Sequence, residues 1–136
     1  MIMLETTPEG TLFYRIGGRP KLTSLLRHFY ADVRQQTEIA PVFAAHVTDW
    51  PSHLEKIADF WTAATGGPVL YSGPMPYKHL SLGLEEQHFV AWLDLWRRHC
   101  NAHLAPAEAR QLIALAESIG MRLRQIVAVK QDDPTY

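Results

Sequence analysis

The feature that most constrains this chain is a long break between two strongly helical patterns. Residues 66–84 are interrupted repeatedly by glycine and proline. A structureless segment of this length is uncommon inside a compact domain unless it has a function. The best candidate for that function is His79, because an imidazole fixed by irregular backbone can keep one ring nitrogen for a metal.

Apolar residues recur at helical spacing in four stretches, and none alternates with the period of two that is typical of a strand. The first helix is predicted to begin near Pro20 and to end by Thr37. A short link containing Pro41-Val42-Phe43 leads to a second helix that Asp49 can cap and that Gly66-Gly67-Pro68 stops. The third and fourth predicted helices are 85–103 and a segment that opens with Pro106. An irregular segment over 1–18 and a frayed tail over 131–136 complete a single all-α domain over 1–136.

The composition of the chain argues against several classes of function. With 13 Lys+Arg against 14 Asp+Glu and a pI near 6.6, no basic field favours a nucleic-acid partner. No apolar run reaches the roughly 20 residues of a membrane span. The first residues lack the features of a signal peptide, so a cytoplasmic location is expected. The single Cys100 excludes an internal disulfide and a multi-cysteine metal site, and we expect it to be a small buried apolar residue.

Three side chains with polar tips share the apolar faces of these helices. Tyr30, His53 and Trp92 come from three different helices. Burying a hydroxyl, imidazole or indole without a hydrogen bond costs on the order of a few kcal/mol. The pattern therefore predicts one shared pocket. With His79 opposite, this arrangement suits an iron cofactor.

Over about 22–96 the chain resembles the truncated haemoglobins, most closely the third subgroup of that family. The matching pieces, in chain order, are Phe29-Tyr30, Pro41-Val42-Phe43, Asp49-Trp50, His53, Phe60-Trp61, segment 71–76 with His79-Leu80, and segment 89–93. The resemblance implies a shortened globin fold of two helices over two. It also implies that the proximal helix shrinks to a loop and a short helix, which would explain the long break.

The resemblance assigns roles around haem b. His79 corresponds to the proximal ligand of the iron, and Tyr30, His53 and Trp92 correspond to polar distal positions. Phe43 corresponds to the aromatic residue that packs on the porphyrin. Residues placed near the cofactor or its ligand on the same basis are Lys78 and Tyr71 at the propionates, Ile57, Trp61, Leu80 and Phe89 as further haem contacts, and Phe29 on the distal side.

The N-terminal segment departs from the third subgroup. Residues 13–18 are closer to the opening of the first and second subgroups, whereas His53 and segment 71–79 favour the third. Because the subgroups differ in which distal residues hold the ligand, this mixture leaves two orientations for His53. It either points at the iron or swings towards solvent as a gate.

Several of these residues, and two further histidine motifs, also have simpler interpretations. Tyr30 and Trp92 can also be core aromatics whose polar tips bond to backbone carbonyls. The Glu-x-x-His spacing of Glu85 and His88 occurs in di-iron bundles, but those proteins use it twice. His99 and His103 lie one turn apart, as zinc ligands do, although cationic side chains are also favoured in the last turn of a helix by its dipole.

Two functions follow from the resemblance. The first is a haem protein that reversibly binds O₂, CO or NO for storage, transport or sensing. The second is a redox enzyme that consumes NO with O₂, or peroxide, and depends on an external reductase. A third possibility is a haem-free interaction domain that keeps the globin fold, and the presence of His79 argues against it.

Overall fold

A computed structural model describes residues 10–70 and 83–132, with side chains described up to 128. These ranges are helical and contain no strand, as the sequence predicted. The six helices are α1 Leu12–Ile16, α2 Gly18–Val33, α3 Ala40–His46, α4 Trp50–Ala64, α5 Glu86–His103 and α6 Pro106–Asp132. None of the helices within the described ranges combines the length and apolar character that a membrane span needs.

The helices form two pairs that meet through α2. Helix α2 packs against α4, α5 packs along α6, and the contact between α2 and α5 joins the two pairs. The buried apolar side chains of the described residues form one cluster at this junction, which includes the fully buried Phe29 and Trp96. This is the two-over-two helical arrangement that the sequence predicted.

Local sequence signals explain the start of α4. The N–H of Ser52 donates to the Asp49 carboxylate at 3.2 Å, and Pro51 occupies the first turn. Asp49 thus satisfies one of the amide groups that have no partner within the helix, and proline costs nothing at a position whose N–H is unpaired in any case. The predicted cap is confirmed, and it fixes where the side chains of α4 point.

Three of the sequence predictions about local structure are wrong. Leu12–Ile16 form α1 inside the segment predicted to be irregular. The link 41–43 is part of α3, because Pro41 sits in the first turn, where proline is compatible with a helix. Helix α6 continues through Asp132 into the segment predicted to fray. The rest of that segment lies outside the described residues.

Charged side chains join the helices at the surface. Arg19 of α2 lies 2.9 Å from Asp59 and 3.4 Å from Glu55 of α4. Arg15 of α1 lies 3.2 Å from Glu108 of α6. Exposed ion pairs contribute roughly 0–1 kcal/mol each. These contacts therefore add little to the stability of the protein, most of which comes from the apolar core.

Candidate functional site

The centre of the candidate site is a buried contact between α2 and α5. Tyr30 is 6% exposed, and the Trp92 indole N–H interacts with its phenol group. We call Tyr30 and Trp92 the cross-helix pair. An indole N–H can only donate, so the phenol oxygen accepts and Tyr30 keeps its own proton for a second hydrogen bond.

Burial controls the protonation of this tyrosine. Desolvation raises the pKa of Tyr30 to about 12, and the hydrogen bond from Trp92 lowers it by less. The phenol is therefore neutral throughout the physiological range. A neutral phenol has a proton that it can donate.

Aromatic rings enclose the open side of Tyr30. Ring centroids of Phe43, Trp50 and His53 lie 5.7, 5.8 and 6.5 Å from that of Tyr30. Trp50 also lies 5.4 Å from His53 and 6.0 Å from Phe43. Such distances are typical of packed aromatic pairs. We call Tyr30, Phe43, Trp50 and His53, which come from α2, α3 and α4, the aromatic cage. With Trp92 of α5 beside Tyr30, the three polar residues that were predicted to share a pocket lie together.

A stack of indoles supports Trp92 from behind. The rings of Trp92 and Trp96 are nearly parallel, with centroids 5.2 Å apart, and Trp96 stacks on Trp61 of α4 at 4.7 Å. The Trp96 N–H donates to the Leu112 carbonyl of α6 at 3.3 Å. Because three helices hold this stack, the position of Trp92 is fixed by the core of the protein.

Phe29 closes the gap between the stack and the cross-helix pair. Its ring meets those of Tyr30, Trp92 and Trp96 edge to face, with centroids 4.7, 5.2 and 5.0 Å away. It is completely buried. A residue in this position transmits any movement of α2 to α5, because protein interiors are packed as densely as organic crystals.

Trp50 and Arg34 were not singled out as functional by sequence reasoning. The Arg34 guanidinium lies 4.7 Å from the centroid of the Trp50 ring, on the rim of an open groove. The groove is lined by Arg34, Gln35, Thr37, Ala40, Pro41, Ala44, Val47, Thr48 and Trp50. Trp50 thus separates the aromatic cage from solvent, which is visible only after α2, α3 and α4 are packed.

The other predicted cofactor contacts are distributed more widely. Ile57 is partly buried against the core. Trp61 stacks on Trp96, which lies between it and Trp92. The Arg124 guanidinium lies 5.3 Å from the centroid of the Phe89 ring. Their contacts with haem stay predictions. The predictions for Tyr71, Lys78, His79 and Leu80 lie outside the described residues.

The structure indicates structural roles, and not metal binding or catalysis, for Glu85, His88 and Cys100. The backbone N–H of Glu85 donates to His88 Nδ1 at 2.8 Å, so the Glu-x-x-His spacing serves the start of α5. Cys100 is fully buried, as predicted, and desolvation raises the pKa of its thiol to about 12. Such a thiol is unreactive at neutral pH. Within the described ranges, no group of three or more His, Cys, Asp or Glu side chains is arranged to hold a metal ion.

Comparison with known proteins agrees with this architecture. The model of the bacterial-like globin family matches residues 11–121. The chain is 29% identical over 85 residues to the group 3 truncated haemoglobin ctb of Campylobacter jejuni, covering 59% of this chain and 67% of the relative. It is 32% identical over 83 residues to the group 1 truncated haemoglobin GlbN of Nostoc commune, covering 60% and 69%.

Solved structures share the fold. The group III truncated haemoglobin from Campylobacter jejuni superimposes with a TM-score of 0.76 at 24% identity, covering 81% of this chain and 91% of that one. The 2/2 haemoglobin from Synechococcus sp. PCC 7002 gives 0.76 at 19% identity, with 87% and 98% covered. The all-helical two-over-two architecture and the aromatic cage define a globin of the shortened class. The chain belongs to the bacterial-like globin family, and this membership supports haem binding.

Proposed function

We propose that this protein binds haem b through His79 and reversibly binds a diatomic gas, O₂ in particular, inside the aromatic cage. The observation that supports this most strongly is the buried, neutral phenol of Tyr30, whose pKa burial raises to about 12. It lies beside Trp92 and among the rings of Phe43, Trp50 and His53, with a proton to donate. Donors in the distal pocket of a haem protein decide which ligands are held.

The donor set of the described residues fits haem. Phe43 and Ile57 are partly buried side chains packed against the core, as expected of residues that would contact a flat apolar ring on one side. Tyr30 and Trp92 are the polar groups that would face the ligand, and His53 stands beside Tyr30. Haem, when bound, supplies an iron with an open coordination position for O₂, CO or NO.

The chain's own residues set ligand preference. A donor at Tyr30 favours ligands that carry partial negative charge, so it favours O₂ over the less polar CO. Trp50 and Phe43 pack against each other beside the phenol, and a hydrogen bond in a low-dielectric setting of this kind is stronger than in water. Neutral Tyr30 holds its proton at all physiological pH values, because its pKa is raised to about 12.

Absorption spectroscopy tests this proposal. The purified chain with added haem should give an intense Soret band that shifts when CO is added to the dithionite-reduced protein. His79→Ala should lose stable haem binding. His46→Ala is the matched control, since His46 is exposed at the end of α3.

Two results would count against the proposal. Full haem occupancy in His79→Ala would remove the proximal assignment, and no specific uptake by either protein would leave a haem-free globin fold. Rapid turnover of NO with O₂, or of peroxide, in the presence of a reductase would move the assignment from ligand binding to redox catalysis.

A further inference from the structure

The aromatic cage and the open groove beside it share one residue. Trp50 lines the groove together with side chains of α3 and of the short link that follows α3. The same indole ring lies 5.8 Å from Tyr30, 5.4 Å from His53 and 6.0 Å from Phe43, measured between ring centroids. Of the four residues of the cage, Trp50 alone also lines the groove. Among the described residues, its ring is therefore the wall between the two spaces.

Trp50 is positioned so that its ring can move. It is the first residue of α4, and residues 47–49 before it belong to no helix. Its side chain is half-buried, whereas Trp61 and Trp96 are 3% and 0% exposed. The cap of α4 is a bond between the Asp49 carboxylate and a backbone amide, so it does not depend on where the indole points. The ring can therefore leave the cage by rotation about its side-chain bonds while α4 stays folded.

Arg34 holds the indole in place. Its guanidinium carbon lies 4.7 Å from the centroid of the Trp50 ring, and both side chains line the groove. The backbone N–H of Arg34 donates to the Tyr30 carbonyl at 3.1 Å, so the cation lies one helical turn after the phenol of the cage. In the part of the chain that the structure describes, Arg34 forms no ion pair with a carboxylate. Its charge is therefore directed at the indole, and cation–π attraction favours the present position of the ring.

We propose that Trp50 is the gate through which a diatomic gas passes between the groove and the aromatic cage, and that Arg34 sets how often this gate opens. The inference rests on the proposed function, because it describes the route to the same site. While the ring packs against Tyr30, Phe43 and His53, the gate is closed. When the ring swings away, the groove opens onto the phenol of Tyr30. Because Arg34 stabilises the closed position, loss of its charge raises the fraction of open gates.

A gate has a kinetic signature that a ligand-holding residue lacks. A gate that opens more often speeds entry and escape of the ligand by the same factor, because both use the same route. The affinity, which is the ratio of the two rates, then stays unchanged. Loss of a hydrogen-bond donor to the ligand, as in Tyr30→Phe, speeds escape and weakens the affinity. The two roles are therefore distinguished by measuring both rates.

Carbon monoxide is the probe for the haem-loaded protein. Flash photolysis gives its association rate, and displacement by NO gives its dissociation rate. In Arg34→Gln we expect both rates to rise about two- to five-fold, the factor to which an exposed cation–π contact corresponds. Trp50→Ala removes the gate and should raise both rates further. Arg27→Gln makes the same charge change at an exposed position two turns earlier on α2 and should leave both rates unchanged.

Three results would overturn the proposal. An unchanged association rate in Trp50→Ala would show that the ligand enters elsewhere, and acceleration by His53→Ala in that case would place the route at His53. A change in the dissociation rate alone would show that Trp50 holds the ligand or its donor and is not a gate. If Trp50→Ala does not fold, the exposed position of Arg34 decides, and unchanged rates in Arg34→Gln contradict the proposal.

The mobility of the Trp50 indole tests the role of Arg34 without haem. Its ¹⁵N–¹H NMR signal is measured in the full chain as purified and is assigned by its loss in Trp50→Phe. We expect a lower order parameter for this indole in Arg34→Gln than in the wild type, and no change in Arg27→Gln. An equal order parameter in Arg34→Gln would overturn the inference. A chain that takes up no haem would refute the proposed function, whereas a freer indole in Arg34→Gln would still support Arg34 as the residue that holds the ring.

Discussion

The Trp92 indole N–H faces the phenol of Tyr30 across two helices that are far apart in sequence. This relationship decides the chemistry of the cage, because it fixes which of the two groups has a proton left to offer. Had the phenol donated to a backbone carbonyl instead, the pair would be ordinary core aromatics.

Tyr30→Phe removes the donor while keeping the ring. We expect O₂ dissociation to accelerate about ten-fold, which corresponds to roughly 1.4 kcal/mol, the scale of one hydrogen bond. Stopped-flow measurement of O₂ release is the test. Tyr14→Phe is the matched control, because Tyr14 is 45% exposed on α1. Equal rates in wild type and Tyr30→Phe would show that the phenol points away from the ligand.

Trp96→Ala removes the middle ring of the indole stack. Trp96 is completely buried, and it contacts Trp61, Trp92 and Phe29. Deleting a buried Trp side chain typically costs about 3–5 kcal/mol, so we expect the free energy of unfolding in urea to fall by that amount. Val90→Ala, at a 45% exposed position of the same helix, should change it by less than about 0.5 kcal/mol. A similar small change for Trp96→Ala would contradict the packing described.

Gly67→Ala introduces a methyl group where there is no space. An added Cβ would lie 2.8 Å from the Phe13 ring and 2.9 Å from a Thr62 side-chain carbon. Overpacking of this kind typically costs about 1–3 kcal/mol, and thermal unfolding should report it as a lower Tm. Gly120→Ala is the matched comparison, because its Cβ meets only Leu93 at 3.7 Å within a helix. That variant should be as stable as the wild type or up to about 1 kcal/mol more stable.

Asp49→Ala removes the cap of α4. The lost hydrogen bond to the Ser52 amide should cost about 0.5–2 kcal/mol of unfolding free energy. Asp49→Asn keeps an equally good capping side chain and should be close to wild type. If both variants lose the same stability, the carboxylate charge rather than the cap is what matters, and chemical denaturation of the three proteins would show this.

The stability of the protein should fall in mild acid. The pKa of His103 is lower in the folded protein than its ordinary value, so the unfolded chain binds more protons in the interval between the two values. Unfolding is therefore favoured as the pH falls from about 6.5 to the lowered pKa, and the loss is complete below it. Urea titrations across this interval should show a smaller loss in His103→Gln than in the wild type, whereas His46→Gln should behave like the wild type.

Helix boundaries follow from local signals that the sequence contains. Asp49 with Pro51, and Pro106, mark helix starts, and the structure confirms both. Helix α1 was missed because five residues are too few to show a helical period. Helix α3, of seven residues, was predicted to be a link around segment 41–43, although proline is compatible with the first turn of a helix.

The candidate site was only partly predictable, for a physical reason. Helical phase indicates that Tyr30 and Trp92 face inward, but whether the two side chains meet depends on how α2 and α5 cross. The same holds for Asp32 and His99, each of which looks like an ordinary polar residue in sequence. Tertiary contacts of this kind are set by the packing of all helices together, and no local pattern encodes them.

The three stacked tryptophans give the protein a built-in optical reporter. Nearly parallel indoles 4.7 and 5.2 Å apart couple their electronic transitions, so together they should produce a circular dichroism signal that isolated indoles lack. Because one ring of the stack belongs to the cross-helix pair and another to α4, the band should change whenever those helices separate. The motions of the cage can thus be followed in the unlabelled protein.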